Sequence, residues 1–323
     1  MKKIKWGIIG LGKIAHKFTN DLLLLEDIEL EAVASRNISK AEAFSKKYHA
    51  NKYYGLYLEL IQDKNVEIIY IATPNNLHQS ITVLALQHKK AVLCEKPFAI
   101  NKTQVLNMID ASKKNNTFLM EALWTRFMPA MIEIKKRINE GEIGELKYIN
   151  ADFAFKAPLT IQRVHDKSLG GGSLLDIGIY PIFLSYFLLG NPIKIMASAT
   201  YFDSGVDSQL AMIFNYKNAQ TLLFSSFNSS SKRVAKISGT LGEIIINDPW
   251  NETVCFTLTK DEKIQKFEYP KLGKGYTHEI IECNKCLNNG KIESNLWSHS
   301  HSVELISLLD LVRKEINLTY FED

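Results

Sequence analysis

The hydrophobic positions in the first third of the chain follow two alternating periods. Residues 4–9 form a short apolar run of the kind a buried strand needs, residues 13–25 carry apolar side chains at helical spacing, and residues 30–34 are apolar again. This is a βαβ pattern. Ser39-Lys40-Ala41-Glu42 offers a capping box for a helix running toward His49, since a serine hydroxyl can accept from the third helical N–H while the glutamate reaches back. Further strands are predicted at 67–72, 91–95 and 117–120, with helical patterns at 76–88 and 102–114 between them. Strands alternating with helices predict a parallel, doubly wound α/β sheet covered on both faces.

Around residue 122 the pattern changes. Residues 124–139 read as one more helix, and after Gly141 and Gly144 come alternating segments at 146–155, 193–202, 210–215, 220–227, 235–238 and 253–258. Consecutive strands without intervening helices predict a mostly antiparallel sheet. Helical stretches at 173–189, 277–288 and 302–314 flank it. The expected organisation is therefore α/β over 1–122, followed by an α+β domain over 123–323 that binds substrate and forms oligomers.

Composition narrows the function classes without choosing one. The 323 residues carry 39 Lys plus Arg against 35 Asp plus Glu, a formal charge of +4, and 46% are hydrophobic. That describes a globular chain and excludes a disordered or collagen-like one. Basic residues are interspersed with acidic ones, as where Glu133 and Glu140 flank Lys135-Lys136-Arg137, so no nucleic-acid partner is expected. Pro181 interrupts the most apolar stretch, 177–189, which falls short of a membrane span. Cys94, Cys255, Cys283 and Cys286 are too sparse for a disulfide framework. No targeting segment is visible, and a reducing, cytoplasmic location is expected.

The first candidate for chemistry is Gly10-x-Gly12-x-x-Ala15, directly after the first strand and opening the first helix. Gly10 allows a tight turn, Gly12 lets a pyrophosphate approach the backbone, and Ala15 permits close helix–strand packing. The phosphate would meet the free N–H groups and positive end of the helix, with Lys13 and Ile14 at its start. At the end of the second strand stand Ser35 and Arg36, where NAD enzymes of this architecture usually carry an acid for the ribose 2′-hydroxyl. Glu29 and Glu31 lie earlier, on the strand. An arginine at the tip suits a 2′-phosphate, so the expected cofactor is NADP(H), with NAD the alternative. Thr73-Pro74-Asn75 with His78, and Glu95-Lys96-Pro97, follow two further parallel strands, at the edge where open α/β sheets build their ligand crevice.

These segments, together with 170–180 (Gly-Gly-Gly-Ser-Leu-Leu-Asp-Ile-Gly-Ile-Tyr), resemble the Gfo/Idh/MocA family of nicotinamide-dependent oxidoreductases. The resemblance extends over nearly the whole chain, to Glu293-Ser294 and Trp297-Ser298-His299. Residues 121–127 and Tyr180 are most similar to the branch that contains dimeric dihydrodiol dehydrogenase and NADP-dependent xylose dehydrogenase. The resemblance implies a Rossmann domain in which Lys96 reaches nicotinamide and substrate oxygen, Glu95 and Pro97 shape the strand end, and Asp176 belongs to the active site. Many members carry histidine four residues after that aspartate; here the position is Tyr180.

Asp176 and Tyr180 are spaced i, i+4 and so project from one face of a predicted helix. Removing a hydride from a carbinol carbon requires a group to take the hydroxyl proton, and a phenol serves when adjacent positive charge lowers its pKa from about 10. Tyr180 is the expected general acid/base, Lys96 its electrostatic partner or the alternative base, and Asp176 the substrate-orienting group. Trp124 and Arg126 either form part of the substrate site or pack a helix between domains. The glycines at 170–172 either admit a ligand to the backbone or form a flexible loop. Cys283-x-x-Cys286 and His299-x-His301 suggest zinc, but the cysteines fall inside an amphipathic helical pattern, so no metal is expected and the histidines read as a surface helix entry. The expected function is an oxidoreductase acting on a small sugar, polyol or diol, in a homodimer or homotetramer paired through the C-terminal sheet; the alternative is a dinucleotide-binding sensor without turnover.

Overall fold

In a computed structural model, residues 3–158, 160–321 and 323 are described. Six parallel strands form the first sheet, built from β1 (Ile4–Ile9), α1 (Lys13–Leu22), β2 (Ile28–Ala34), α2 (Ile38–Tyr48), β3 (Lys52–Tyr54), α3 (Tyr57–Gln62), β4 (Ile68–Ile71), α4 (His78–Gln87), β5 (Ala91–Glu95), α5 (Lys102–Asn115) and β6 (Leu119–Ala122). Their spatial order is β3-β2-β1-β4-β5-β6. The order reverses between β1 and β4, and ligands of open α/β sheets bind beyond the carboxyl ends at such a reversal. β4 and β5 are apolar at almost every position because helices cover both faces. The sequence does not announce β3, a three-residue edge strand.

Helix ends follow local chemistry, with one correction. Asn37, not Ser39, caps α2, its side chain accepting from the Lys40 N–H at 3.1 Å. His49 ends that helix in the left-handed region. Asn101 and Asn116 play the same two parts for α5.

The second sheet has eight strands: β7 (Leu146–Ala154), β8 (Lys194–Tyr201), β9 (Asp207–Asn215), β10 (Gln220–Ser226), β11 (Ala235–Gly239), β12 (Gly242–Ile246), β13 (Cys255–Lys260) and β14 (Lys263–Glu268), in the order β14-β13-β12-β11-β7-β10-β9-β8. Every pairing is antiparallel except β7 with β10. β12 and β14 were not expected. β14 is an exposed edge without alternation, so no period marks it.

Four helices accompany these strands before the last one: α6 (Pro129–Asn139), the single turn α7 (Gln162–His165), α8 (Ile179–Leu189) and α9 (Tyr276–Asn288). α10 (His299–Glu315) is the final helix. The helix expected over 124–139 is split into a 3-10 turn at Trp124–Phe127 and α6, which begins at Pro129 because proline suits the first helical position and breaks an interior one. The one expected over 173–189 is also split. A π turn at Leu174–Gly178 precedes α8 and accommodates Pro181, whose missing N–H would interrupt a continuous α-helix. The longer segment Lys167–Leu189 is long and apolar enough by composition to cross a membrane, yet 78% of its apolar window is buried inside the protein. It is a core helix, packed on β7 and β10.

The chain up to Trp124 joins Leu272–Val303 in one compact unit, and Thr125–Lys271 joins the segment from Glu304 in the other. A single cut near 122 therefore misses the return of α9 to the first unit. The physical cause is Asp21 at the end of α1, whose buried carboxylate accepts from the Lys274 and Tyr276 N–H groups at 2.9 Å and so caps α9 from another helix. Trp6 Nε1 of β1 also donates to Asn284 Oδ1 of α9. Leaving those N–H groups unpaired in the interior would cost about 1–3 kcal/mol each.

Candidate active site

The glycine loop leads out of β1. Gly10 sits at φ +88°, and a side chain there would press within 2.6 Å of the Ala72 carbonyl at the end of β4, so both the turn and the strand packing require glycine. Gly12 faces open space and begins α1 without a side-chain cap or an acid in the first turn. The positive end of the helix is thus left for an outside anion. Ala15 is fully buried. Beyond β4, Thr73 Oγ1 and Asn76 Oδ1 are buried without a partner. An uncapped helix, a cradle above Gly12 and orphaned polar atoms along one strand edge together suit a dinucleotide.

At the tip of β2, Ser35 Oγ accepts from Asn37 N and Arg36 is exposed. Glu31 is buried earlier on the strand, committed to Asn51, Asn65 and Lys52, and is not available to a ribose. Lys40 and Lys47 both lie close enough to His16, in the first turns of α1, to hold its pKa down, after burial itself. His16 and Lys40 escaped the sequence reading because neither belongs to the glycine pattern.

Lys96 follows β5 in a turn whose backbone is fixed from several sides. Glu95 Oε2 accepts from the Lys96 N–H at 3.1 Å, and Tyr70 on β4 donates its hydroxyl to Glu95 Oε1. His78 Nδ1 meets the Pro97 carbonyl at 2.9 Å and Nε2 the Thr73 carbonyl at 3.0 Å. Glu121, at the end of β6, accepts from Phe98 N–H, Trp297 Nε1 and Ser302 Oγ at 2.7–3.1 Å. His78 and Glu95 therefore brace the turn with their polar atoms. That differs from the cofactor contacts expected of them. Burial lowers the His78 pKa and raises those of Tyr70 and Glu121.

In the second unit, Asp176 stands in the π turn and pairs with Arg163 at 3.0 Å. Tyr180 is buried one turn further on, its ring 5.3 Å from Phe153 of β7. Arg163 comes from the single turn α7, too short to show a period in the sequence, thirteen residues before its partner. Arg126 was grouped with these two, but its guanidinium lies over Phe187, about two helical turns beyond Tyr180 on α8. Trp124 is buried beside Tyr276 at 4.9 Å in the first unit.

Two glycines of the run, Gly171 and Gly172, are closely packed. A side chain on Gly171 would press on the Asp166 and Arg163 carbonyls at 2.8 and 2.9 Å, and one on Gly172, at φ +109°, would collide with Asp207 Oδ1. Cys283 and Cys286 lie buried within α9, and burial pushes both thiols up, Cys286 to about 12. His299 is 5% exposed, its Nε2 3.0 Å from the Leu119 carbonyl, and His301 stacks on Trp297, so the expected surface entry is an interior one.

Residues 4–123 match the oxidoreductase family with the NAD-binding Rossmann fold, and 131–245 match the GFO/IDH/MocA C-terminal domain. The chain belongs to the Gfo/Idh/MocA oxidoreductase family. Its first domain is the NAD-binding Rossmann domain of an oxidoreductase. Among its relatives are the trans-1,2-dihydrobenzene-1,2-diol dehydrogenases of Mus musculus, 35% identical, and Homo sapiens, 33% identical, each alignment covering 99% of both chains. The same fold occurs in a 3-ketoreductase from Actinomadura kijaniata, solved with NADP and TDP-benzene, at TM-score 0.89 and 22% identity over 98% of both chains. It occurs also in the aldose-aldose oxidoreductase of Caulobacter crescentus, at TM-score 0.88 and 23% identity over 98% of both chains.

Behind the Lys96 turn this family member buries one more acid. Glu279 of α9 is fully enclosed with neither carboxyl oxygen hydrogen-bonded, and burial, then the charges of Glu95 and Asp21, raises its pKa well above the ordinary value. Folded protein therefore keeps a proton that the unfolded chain releases above about 4.3. Stability from this group is complete below that pH and declines as pH rises toward the folded value. Glu279→Gln removes the decline: the variant should gain in urea midpoint relative to wild type between pH 5 and pH 8, and an unchanged difference would show Glu279 to be ionised in the fold.

Proposed function

We propose that the chain transfers a hydride between NADP(H) and a small polyhydroxylated substrate, a sugar, polyol or diol, interconverting a secondary alcohol and ketone or a lactol and lactone. The observation that carries this reading is the braced turn after β5, whose residue 96 is a lysine and which lies at the same carboxyl edge of the sheet as the uncapped glycine loop. The relatives named as diol dehydrogenases support the substrate class, since their alignments run the full length of this chain.

Nicotinamide, when bound, supplies the hydride acceptor or donor. The pyrophosphate would rest on the N–H groups of Gly12, Lys13 and Ile14, with Thr73, Pro74 and Asn75 along the same edge. Arg36, with Lys40 beside it on α2, would meet a 2′-phosphate. Lys96 stabilises negative charge developing on the substrate oxygen, and Tyr180 takes the hydroxyl proton in oxidation and returns it in reduction. Asp176, held by Arg163, accepts a substrate hydroxyl and fixes which carbon faces the nicotinamide. Trp124, beside Tyr276, and Arg126, over Phe187, are given no step in this chemistry.

The outer face of the second sheet exposes Met196, Ile213 and Leu222 on β8, β9 and β10, which suits pairing of two subunits. A cytoplasmic location accords with four free thiols.

Three measurements test these assignments. Lys96→Met should lower kcat about 10²–10⁴-fold while NADPH fluorescence titration shows affinity unchanged; retained turnover removes Lys96 from the mechanism. Arg36→Glu should weaken NADPH roughly ten- to hundredfold and leave NADH nearly unaffected, as expected for loss of a charge-assisted hydrogen bond. Sedimentation equilibrium should show a species of at least twice the chain mass, and a monomer at all concentrations rejects pairing through the sheet.

A further inference from the structure

A buried carboxylate outside the expected constellation governs where Asp176 stands. Asp207 opens β9 and is completely enclosed. Its Oδ2 accepts from Ser173 Oγ and from the Leu174 N–H, both at 2.7 Å, and Ser173 Oγ is shared with Ser225 Oγ of β10 at 3.0 Å. Leu174 is the first residue of the π turn that carries Asp176. One carboxylate oxygen therefore fixes the start of that turn, two residues before the group it presents.

The surrounding loop is built around this contact. Gly172 has no side chain because Asp207 Oδ1 occupies the place a Cβ would take. Tyr320, in the C-terminal tail, donates to the Gly171 carbonyl at 2.5 Å, and Gly172 N–H donates to the Val164 carbonyl at 3.0 Å, one residue from Arg163. Arg163 in turn grips Asp176. Strand, tail and loop thus close a ring of hydrogen bonds on the π turn.

Asp207 Oδ1 has no partner. Burial of a carboxylate with one oxygen unsatisfied costs stability, and a core aspartate kept at that cost calls for a role that an apolar residue would not fill. We propose that Asp207 is a positioning residue for catalysis, anchoring the π turn so that Asp176 meets the substrate hydroxyl in register. The proposal rests on Asp176 taking part in the reaction. It extends that reading to a residue that touches neither substrate nor cofactor. Burial also raises the Asp207 pKa, to about 6, opposed by its own hydrogen bonds.

The experiment is a double-mutant cycle on kcat, using NADP⁺ and whichever member of a sugar and diol panel the wild type oxidises fastest. Asp207→Ala should lower kcat roughly 10²-fold, the scale of an ångström-sized misplacement, with NADPH affinity unchanged. Asp207→Asn should recover most of the rate, because its carbonyl oxygen can accept from the same two donors. In an Asp176→Asn background, Asp207→Ala should cost little more, since the group it positions is already altered. Additive losses, or an Asn variant as impaired as Ala, would overturn the proposal. Should Asp207→Ala not fold, Ser173→Ala completes the same cycle by removing one of the two donors. If Asp176→Asn by itself leaves kcat intact, the catalytic reading fails; if it lowers kcat but Asp207→Ala does not, only the positioning role fails.

Discussion

The structure depends on how the backbone beyond the parallel strands is satisfied. Where β4 and β5 end, their carbonyl and amide groups leave the ladder and would be buried unpaired. Glu95, itself held by Tyr70, accepts from the Lys96 N–H, Glu121 accepts from the Phe98 N–H, and the single N–H of a neutral His78 ring serves one of the Thr73 and Pro97 carbonyls it lies between. Each of these bonds is worth only about 1 kcal/mol net, but losing one exposes the full desolvation cost of the group left behind. The turn that carries Lys96 is therefore rigid for the same reason that the fold is stable.

The second unit solves the same problem differently. Its essential segment is a helix containing proline, and the π turn before Pro181 absorbs the lost hydrogen bond by lengthening the local repeat. A π turn is a poor structure to leave unsupported. Asp207 from the sheet and Arg163 from α7 hold it at Leu174 and Asp176, and Tyr320 from the tail holds Gly171 just before it. The glycines before it are small because carbonyl and carboxylate oxygens already fill the space, which makes the run tightly packed where composition suggests mobility.

Buried acids recur across both units, and their environments divide them. Asp21 and Glu121 accept several donors each, and their role is to satisfy backbone and indole N–H groups. Both Glu279 carboxyl oxygens lack a hydrogen-bond partner, and burial, with the charges of Glu95 and Asp21, raises its pKa.

The sequence by itself determined the architecture and the location of the cofactor edge. Apolar runs of strand length separated by helical periods specify a parallel sheet, and glycines placed directly after the first strand mark where its backbone must approach a phosphate. Those are local signals, carried by neighbours along the chain. The family resemblance rested on equally local motifs. Tertiary structure alone decided the rest, since sequence spacing cannot show which distant group fills a buried vacancy. The return of α9 depends on Asp21 reaching residues more than two hundred and fifty positions away. The bracing roles of His78 and Glu95, the removal of Arg126 to Phe187, the capture of Asp176 by Arg163 and the packing of the glycine run against Asp207 depend on the same kind of long-range contact. A hydrogen bond or a steric limit between segments far apart in the chain leaves no period and no motif behind; it exists only once the layers have packed.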